Sequence, residues 1–186
     1  MKQLAVFASG TGTNFDAIAR ACADGVLDAR VAVMVCDRPG AAVIEKAERY
    51  GVDTFVFSPK EYPDKASFEA EIVKVLDAKK IDLVCLAGYM RIVGKTLLDA
   101  YEGRIINIHP SLLPAFKGAH AVEDAVAYGV KVYGITIHWV NADLDGGRII
   151  AQRAFEYDGN DPAEVHRLGQ KIEHAFYVET IAKLIR

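Results

Sequence analysis

The chain has 186 residues, 52% of them hydrophobic and 25% charged, with a net charge of −3. That composition suits one soluble globular domain able to bury about two-thirds of its unfolded surface. It excludes a basic field for a nucleic-acid backbone, and no apolar run approaches the ~18 residues that span a bilayer.

Short β-branched runs alternate with helical stretches along the chain. Leu4–Ala8 is a buried-strand candidate, followed by a small-residue turn and a helix from about Asn14 to Ala23. Arg30–Val35 is the second strand, ended by Asp37-Arg38-Pro39-Gly40, and a helix through Ala41–Tyr50 is closed by Gly51. Thr54–Phe57 gives a third strand and Ser58–Asp64 a polar loop. Lys65–Lys79 then reads as an amphipathic helix with Phe68, Ile72, Val75 and Leu76 on one face. Asp82–Ala87 is the fourth strand, Gly88–Arg91 its exit loop, and a short helix near Lys95–Tyr101 leads to a fifth strand at Arg104–His109.

After Gly118 the rhythm changes. A helix near His120–Tyr128 precedes two long runs, Lys131–Val140 and Arg148–Tyr157, expected as a partly antiparallel pair. Asp161-Pro162 opens a last helix that runs to the C-terminus. The pattern predicts a single α/β domain over residues 1–186: a Rossmann-like open sheet, mostly parallel, antiparallel in its C-terminal part, with helices on both faces. Ligands of such sheets bind outside the carboxyl ends of the strands. The exit segments are Ser9–Thr13, Asp37–Gly40, Ser58–Asp64, Gly88–Val93 and Asn107–Gly118, and three of these five carry unusual chemistry.

Asn107-Ile-His109-Pro-Ser-Leu-Leu-Pro is the most informative segment. Residues two apart on a strand project to the same side, so an amide donor and an imidazole share one space, and Pro110 ends the strand. A proton carrier beside a neutral donor is what acyl transfer requires. A lone histidine is usually structural, but Asp143-Leu144-Asp145-Gly146-Gly147 downstream offers a carboxylate that could hold His109 charged. A His109/His138/Asp145 metal site is conceivable, though its spacing matches no recognised ligand pattern. Ser9-Gly10-Thr11-Gly12-Thr13-Asn14, between strand and helix, suits an anion on a helix start. The bland reading is a compact turn capped by Thr13 or Asn14. Phe15 breaks the dinucleotide fingerprint, so Asp37 is expected on a surface turn rather than on a ribose. Gly88–Val93 is either core packing or one wall of a flat apolar ligand site.

The order of Ser9–Asn14, Leu86-Ala87-Gly88-Tyr89-Met90-Arg91, Asn107–Pro114, Leu144-Asp145-Gly146-Gly147 and Glu173-His174-Ala175 resembles the folate-dependent formyltransferases over essentially the whole chain. Within them the chain is most similar to the branch that acts on glycinamide ribonucleotide in purine biosynthesis. The resemblance implies a catalytic trio of Asn107, His109 and Asp145. It implies contacts to glycinamide ribonucleotide from Gly12, Thr13, Asn14, Gln170 and Glu173. It implies a folate pocket of Lys65, Met90, Arg91, Ile92 and Val93, together with Asn141, Ala142, Asp143 and Leu144. The co-substrate would be 10-formyltetrahydrofolate, with no metal. Thr11 and Thr13 stand where many members have Asn and Ser, and Lys117 and Arg148 where Pro is common. Alternatives are a formyltetrahydrofolate hydrolase, a formyltransferase for another amine, or a non-catalytic nucleotide-binding module.

Cys22, Cys36 and Cys85 are dispersed and odd in number, which fits a reducing compartment and no disulfide framework. Met1-Lys2-Gln3 leads straight into a strand, leaving no room for a signal peptide. A cytoplasmic monomer or homodimer with small-molecule partners, and neither nucleic acid nor membrane, is the expectation.

Overall fold

The computed structural model describes residues 1–186. Seven strands form one sheet in the order β3-β2-β1-β4-β5-β6-β7. The strands are β1 (Lys2–Phe7), β2 (Ala29–Cys36), β3 (Thr54–Val56), β4 (Leu83–Leu86), β5 (Ile105–His109), β6 (Val132–Trp139) and β7 (Ile149–Glu156). The first five pair in parallel, whereas β6 runs antiparallel to β5 and β7 antiparallel to β6. The helices are α1 (Thr13–Ala23), α2 (Ala42–Arg49), α3 (Lys65–Ala78), α4 (Lys95–Ala100), α5 (Ala121–Tyr128) and α6 (Pro162–Leu184). This is the expected architecture. A 3-10 turn at Pro59–Glu61 lies within the segment expected as a polar loop.

Strand alternation divides the core into two layers. Leu4 and Val6 of β1 point to a layer shared with Phe15 and Ile18 of α1 and Phe176, Tyr177 and Ile181 of α6. Ala5 and Phe7 point to the other, with Phe68, Ile72 and Leu76 of α3 and Leu97 of α4. Both layers bury strand residues completely, which is why β1 and β2 read as near-continuous apolar runs. The same alternation fixes the active edge. Ile106 and Ile108 of β5 pack on the α1/α6 side, so Asn107 and His109 lie on the opposite side with Ile105.

Helix ends follow local chemistry. The Asp64 side chain accepts the Ser67 N–H at the start of α3, and Asp161 accepts the Ala163 N–H ahead of Pro162 in α6. The long α6 is anchored across the sheet at mid-length. Tyr177, fully buried, donates its hydroxyl to the Leu86 carbonyl at 2.8 Å, with the Ile106 carbonyl at 3.5 Å. Its pKa is pushed far up by burial, so the hydroxyl remains a donor. Tyr177→Phe removes that bond and leaves the buried carbonyl short of a partner. It should cost about 1–2 kcal/mol, read as a drop of about 2–8 °C in Tm with substrate-site geometry retained.

Candidate active site

The carboxyl edge of the sheet is organised by two hydrogen-bonded groups. The first is built on β5 and β6. Their register sets Asn107 opposite His138 and His109 opposite Thr136. The Asn107 amide Nδ2 lies 3.3 Å from His138 Nε2, while His138 Nδ1 lies 2.9 Å from the Trp139 carbonyl. A carbonyl can only accept, so Nδ1 carries the proton, and Nε2 is left to accept from Asn107. Burial lowers the pKa of His138, outweighing the Trp139 carbonyl and Asp145, which raise it; His109 nearby lowers it further. His138 therefore fixes which way the Asn107 amide faces, a role that reading the sequence missed. The signal lies only in cross-strand register.

Asp145 reaches this group from the loop after β6. Its carboxylate lies 3.6 Å from His109 Nδ1 and 3.8 Å from His138 Nε2, and accepts the Gly118 N–H at 2.8 Å. The reach follows from tight backbone. Asn141 Oδ1 accepts the Asp143 N–H, and Asp145 adopts a left-handed φ of 49°. A Cβ at Gly147 would stand 1.6 Å from the Trp139 carbonyl oxygen, so only glycine lets the chain return this closely to β6. The other nitrogen of His109, Nε2, donates to the Phe116 carbonyl at 2.9 Å. With an acceptor facing each nitrogen, the doubly protonated ring has a donor for both. Thr136, opposite His109, anchors the intervening loop by donating to the Ser111 carbonyl and accepting the Leu113 N–H.

The second group joins the exits of β1, β2 and β4. Gly12 is the N-cap of α1 with a left-handed φ of 71° and no side-chain cap. Capping by Thr13 or Asn14 is thus not what the structure has. The first-turn N–H groups of a helix have no intrahelical acceptor, and with no side-chain cap here they favour an anion. A Cβ at Gly12 would come within 2.3 Å of Val43 Cγ2. Asn14 donates to Glu173 of α6 at 3.1 Å, while its Oδ1 is buried without a partner, as is Nε2 of His174. Gln170 lies exposed one turn before Glu173.

Asp37 is not on a surface turn. It is 2% exposed, and its carboxylate accepts from Ser9 Oγ at 2.5 Å and Arg91 Nε at 2.9 Å. The turn residues that follow it are exposed, but Asp37 itself, the residue after β2, is buried. Met90 and Ile92 are exposed, Val93 is buried in the α3/α4 layer, and Lys65 Nζ donates to the Ile92 carbonyl at 2.8 Å. Gly88–Val93 thus divides between the two readings: Val93 is core and the half-buried Tyr89 packs edge-on against Phe7, while Met90–Ile92 form an exposed wall held from α3. Asn141, Ala142, Asp143 and Leu144 are exposed. Lys117 and Arg148 are exposed as well, Lys117 directly after Phe116, whose φ of 54° is left-handed.

Donors suited to a developing oxyanion, next to a seat suited to an anion, match an enzyme that transfers acyl groups between small molecules. Comparison with known proteins narrows this class: the chain belongs to the formyl transferase family, whose sequence profile matches residues 2–181. It is 50% identical over its full length to phosphoribosylglycinamide formyltransferase of Bacillus subtilis, covering 95% of that protein. It superposes with a TM-score of 0.97 on the crystal structure of glycinamide ribonucleotide transformylase 1 from Geobacillus kaustophilus, at 52% identity and complete coverage of both chains. It is also 41% identical over 152 residues to the human trifunctional purine biosynthetic protein adenosine-3; that match takes in 82% of this chain and 15% of the human protein. No helix is long and apolar enough to cross a membrane.

The His138 geometry carries a pH dependence. Its folded-state pKa lies below the ordinary 6.5. The stability contributed by the neutral ring is therefore complete above about pH 6.5 and lost as pH falls through the folded value. In an NMR titration the His138 ring resonance should show a midpoint below 6.5, whereas a midpoint at or above that value would mean that burial does not hold the ring neutral against Asp145.

Proposed function

We propose that the chain transfers the formyl group of 10-formyltetrahydrofolate to the primary amine of glycinamide ribonucleotide. The products are formylglycinamide ribonucleotide and tetrahydrofolate, a step of purine biosynthesis in the cytoplasm. The observation that carries the reading is the approach of Asp145 to His109 beside the Asn107 amide, on the same sheet edge as the uncapped start of α1. The full-length similarity to the Bacillus subtilis formyltransferase supports the choice of substrates.

The amine attacks the formyl carbon as its neutral form, and the carbonyl electrons move to oxygen. Asn107 has one amide hydrogen engaged by His138 and a second left for that oxyanion. His109 supplies the other donor. For its Nε2 to do so, the formyl oxygen has to take the place of the Phe116 carbonyl. Collapse of the intermediate breaks the bond from carbon to N10 of the folate. His109 gives a proton toward that nitrogen, directly or through water, while the attacking amine loses one to a water ordered by Asp145. Oxyanion and proton transfer are both served by side chains, with no metal or covalent intermediate in the scheme.

On the amine-substrate side, the phosphate would sit on the first-turn N–H groups of Thr13 and Asn14 after Gly12. The unpartnered Asn14 Oδ1, Glu173 and Gln170 would face the sugar and glycinamide portion. On the folate side, Met90, Arg91 and Ile92 form the exposed wall, with the buried Val93 supporting it from the core. Lys65 lies beside Ile92, and Asn141–Leu144 forms the facing loop.

Purified protein should deformylate 10-formyltetrahydrofolate only when glycinamide ribonucleotide is present. Amine-independent release of formate would instead make it a hydrolase, and no turnover in either case a binding module. Asn107→Ala should lower kcat by about 10²–10³-fold. His109→Ala and Asp145→Ala should each reduce kcat far more than they weaken substrate binding, and full turnover by either variant would remove the catalytic assignment. Asn14→Ala and Glu173→Ala should act chiefly on KM for glycinamide ribonucleotide, by about tenfold for each hydrogen bond lost to a charged partner.

A further inference from the structure

We infer that Asp37 is a positioning residue for the folate-side wall and ties that wall to the phosphate-side loop; this rests on the reading of Gly88–Val93 as part of the folate pocket. One carboxylate serves both loops. Its Oδ2 accepts from Arg91 Nε at 2.9 Å, and its Oδ1 accepts the hydroxyl of Ser9, the residue that opens the loop before α1. The Ser9 hydroxyl oxygen in turn accepts the Met90 N–H at 2.9 Å, and the Ser9 N–H donates to the Gly88 carbonyl at 3.0 Å. The exits of β1 and β4, which are adjacent in the sheet, are thereby stitched together at Gly88, Met90 and Arg91.

The energetics favour this role over a general structural one. The Asp37 side chain is 1% exposed and that of Arg91 43%, so the ion pair joins a desolvated anion to a partly solvated cation. A buried carboxylate is held in place by whatever satisfies it, and here both satisfying groups belong to ligand-side loops. The other anchors lie on either side of Arg91: Tyr89 packs edge-on against Phe7, and from α3 Lys65 donates to the Ile92 carbonyl and Glu69 accepts the Gly94 N–H, while Met90 and Ile92 are exposed and Arg91 is paired with Asp37. Arg91 is turned by this pairing so that its Nε points to Asp37. The wall then presents the backbone of Met90–Ile92 at a fixed height over the β4 exit.

Asp37→Asn keeps an oxygen for the Ser9 hydroxyl but removes the charge that holds Arg91, so it should act on one substrate only. We expect KM for 10-formyltetrahydrofolate to rise about tenfold, with kcat and KM for glycinamide ribonucleotide within about threefold of the unsubstituted chain. Asp37→Ala removes both bonds and should raise both KM values. Adding Arg91→Met to Asp37→Asn should add little to the folate effect, because the two changes break one interaction. Unchanged folate KM in Asp37→Asn, a loss confined to kcat, or full additivity with Arg91→Met would each overturn the inference. Should Asp37→Asn not fold, Arg91→Met tests the same bond from its solvated end, and an unchanged folate KM there has the same force. Calorimetric titration with 10-formyl-5,8-dideazafolate separates this inference from the proposed reaction. Weaker binding by Asp37→Asn supports it even if the amine acceptor proves to be another compound, whereas an unsubstituted chain that binds no folate analogue overturns both.

Discussion

The antiparallel register of β6 against β5 is the constraint on which the rest of the site depends. It sets His138 across from Asn107 and Thr136 across from His109. Side chains on a strand alternate with a period of two, so a slip of one residue would turn His138 and Thr136 to the α6 side and leave Asn107 without its acceptor. The same slip would cost the loop after His109 its anchor, since Thr136 holds both the Ser111 carbonyl and the Leu113 N–H. Burial enforces the register: Ile135 and Ile137 are completely enclosed in the α1/α6 layer and have no other side to occupy. Hydrophobic alternation on one face of β6 thus determines polar geometry on the other.

Two imidazoles close to one carboxylate would ordinarily compete for it. Here their hydrogen bonds assign them different duties. His138 donates to the Trp139 carbonyl, and burial keeps it neutral, which makes its remaining nitrogen an acceptor for an amide. His109 faces an acceptor on both sides, the Phe116 carbonyl and Asp145. Asp145 can therefore direct its field at His109 without drawing a second proton to His138. The left-handed backbone at Asp145 and the close return at Gly147 are what bring that carboxylate to the edge.

Much of this was legible in the sequence because it is local. The β–α alternation, the antiparallel C-terminal pair and the pairing of Asn107 with His109 on one strand side follow from periods of 2 and 3.6 and from Pro110. What depends on register or on three-dimensional packing was not legible. His138 entered only as a possible metal ligand, because nothing in Lys131–Val140 tells which residue faces Asn107. Asp37 reads as a turn residue because Asp-Arg-Pro-Gly is a strong local turn signal. That signal describes Arg38–Gly40 correctly, but not the carboxylate preceding them, which packs inward to Ser9 and Arg91. The bland reading of the start of α1, a side-chain cap, fails for a similar reason. Thr13 and Asn14 are good capping residues, yet Val43 packs so closely on Gly12 that the left-handed glycine becomes the N-cap.

Strand order also bears on why an amine substrate with a phosphate at one end suits this edge. The loop before α1 leaves β1, and the Asn107/His109 pair ends β5, with β4 between them. Two inter-strand spacings separate these exits by about 10 Å. That distance is comparable with the span of a sugar phosphate carrying a short amide and a terminal amine, so one extended molecule can rest its phosphate on α1 and still offer its amine at Asn107. The exit of β4 lies between the two positions, and it carries Met90–Val93. On the proposed reading, the formyl donor therefore enters over the strand that separates the two ends of its acceptor, with its wall held through Asp37 to the loop that would seat the phosphate. A parallel sheet supplies this spacing without special design. What the sequence adds is the choice of residue at each strand end.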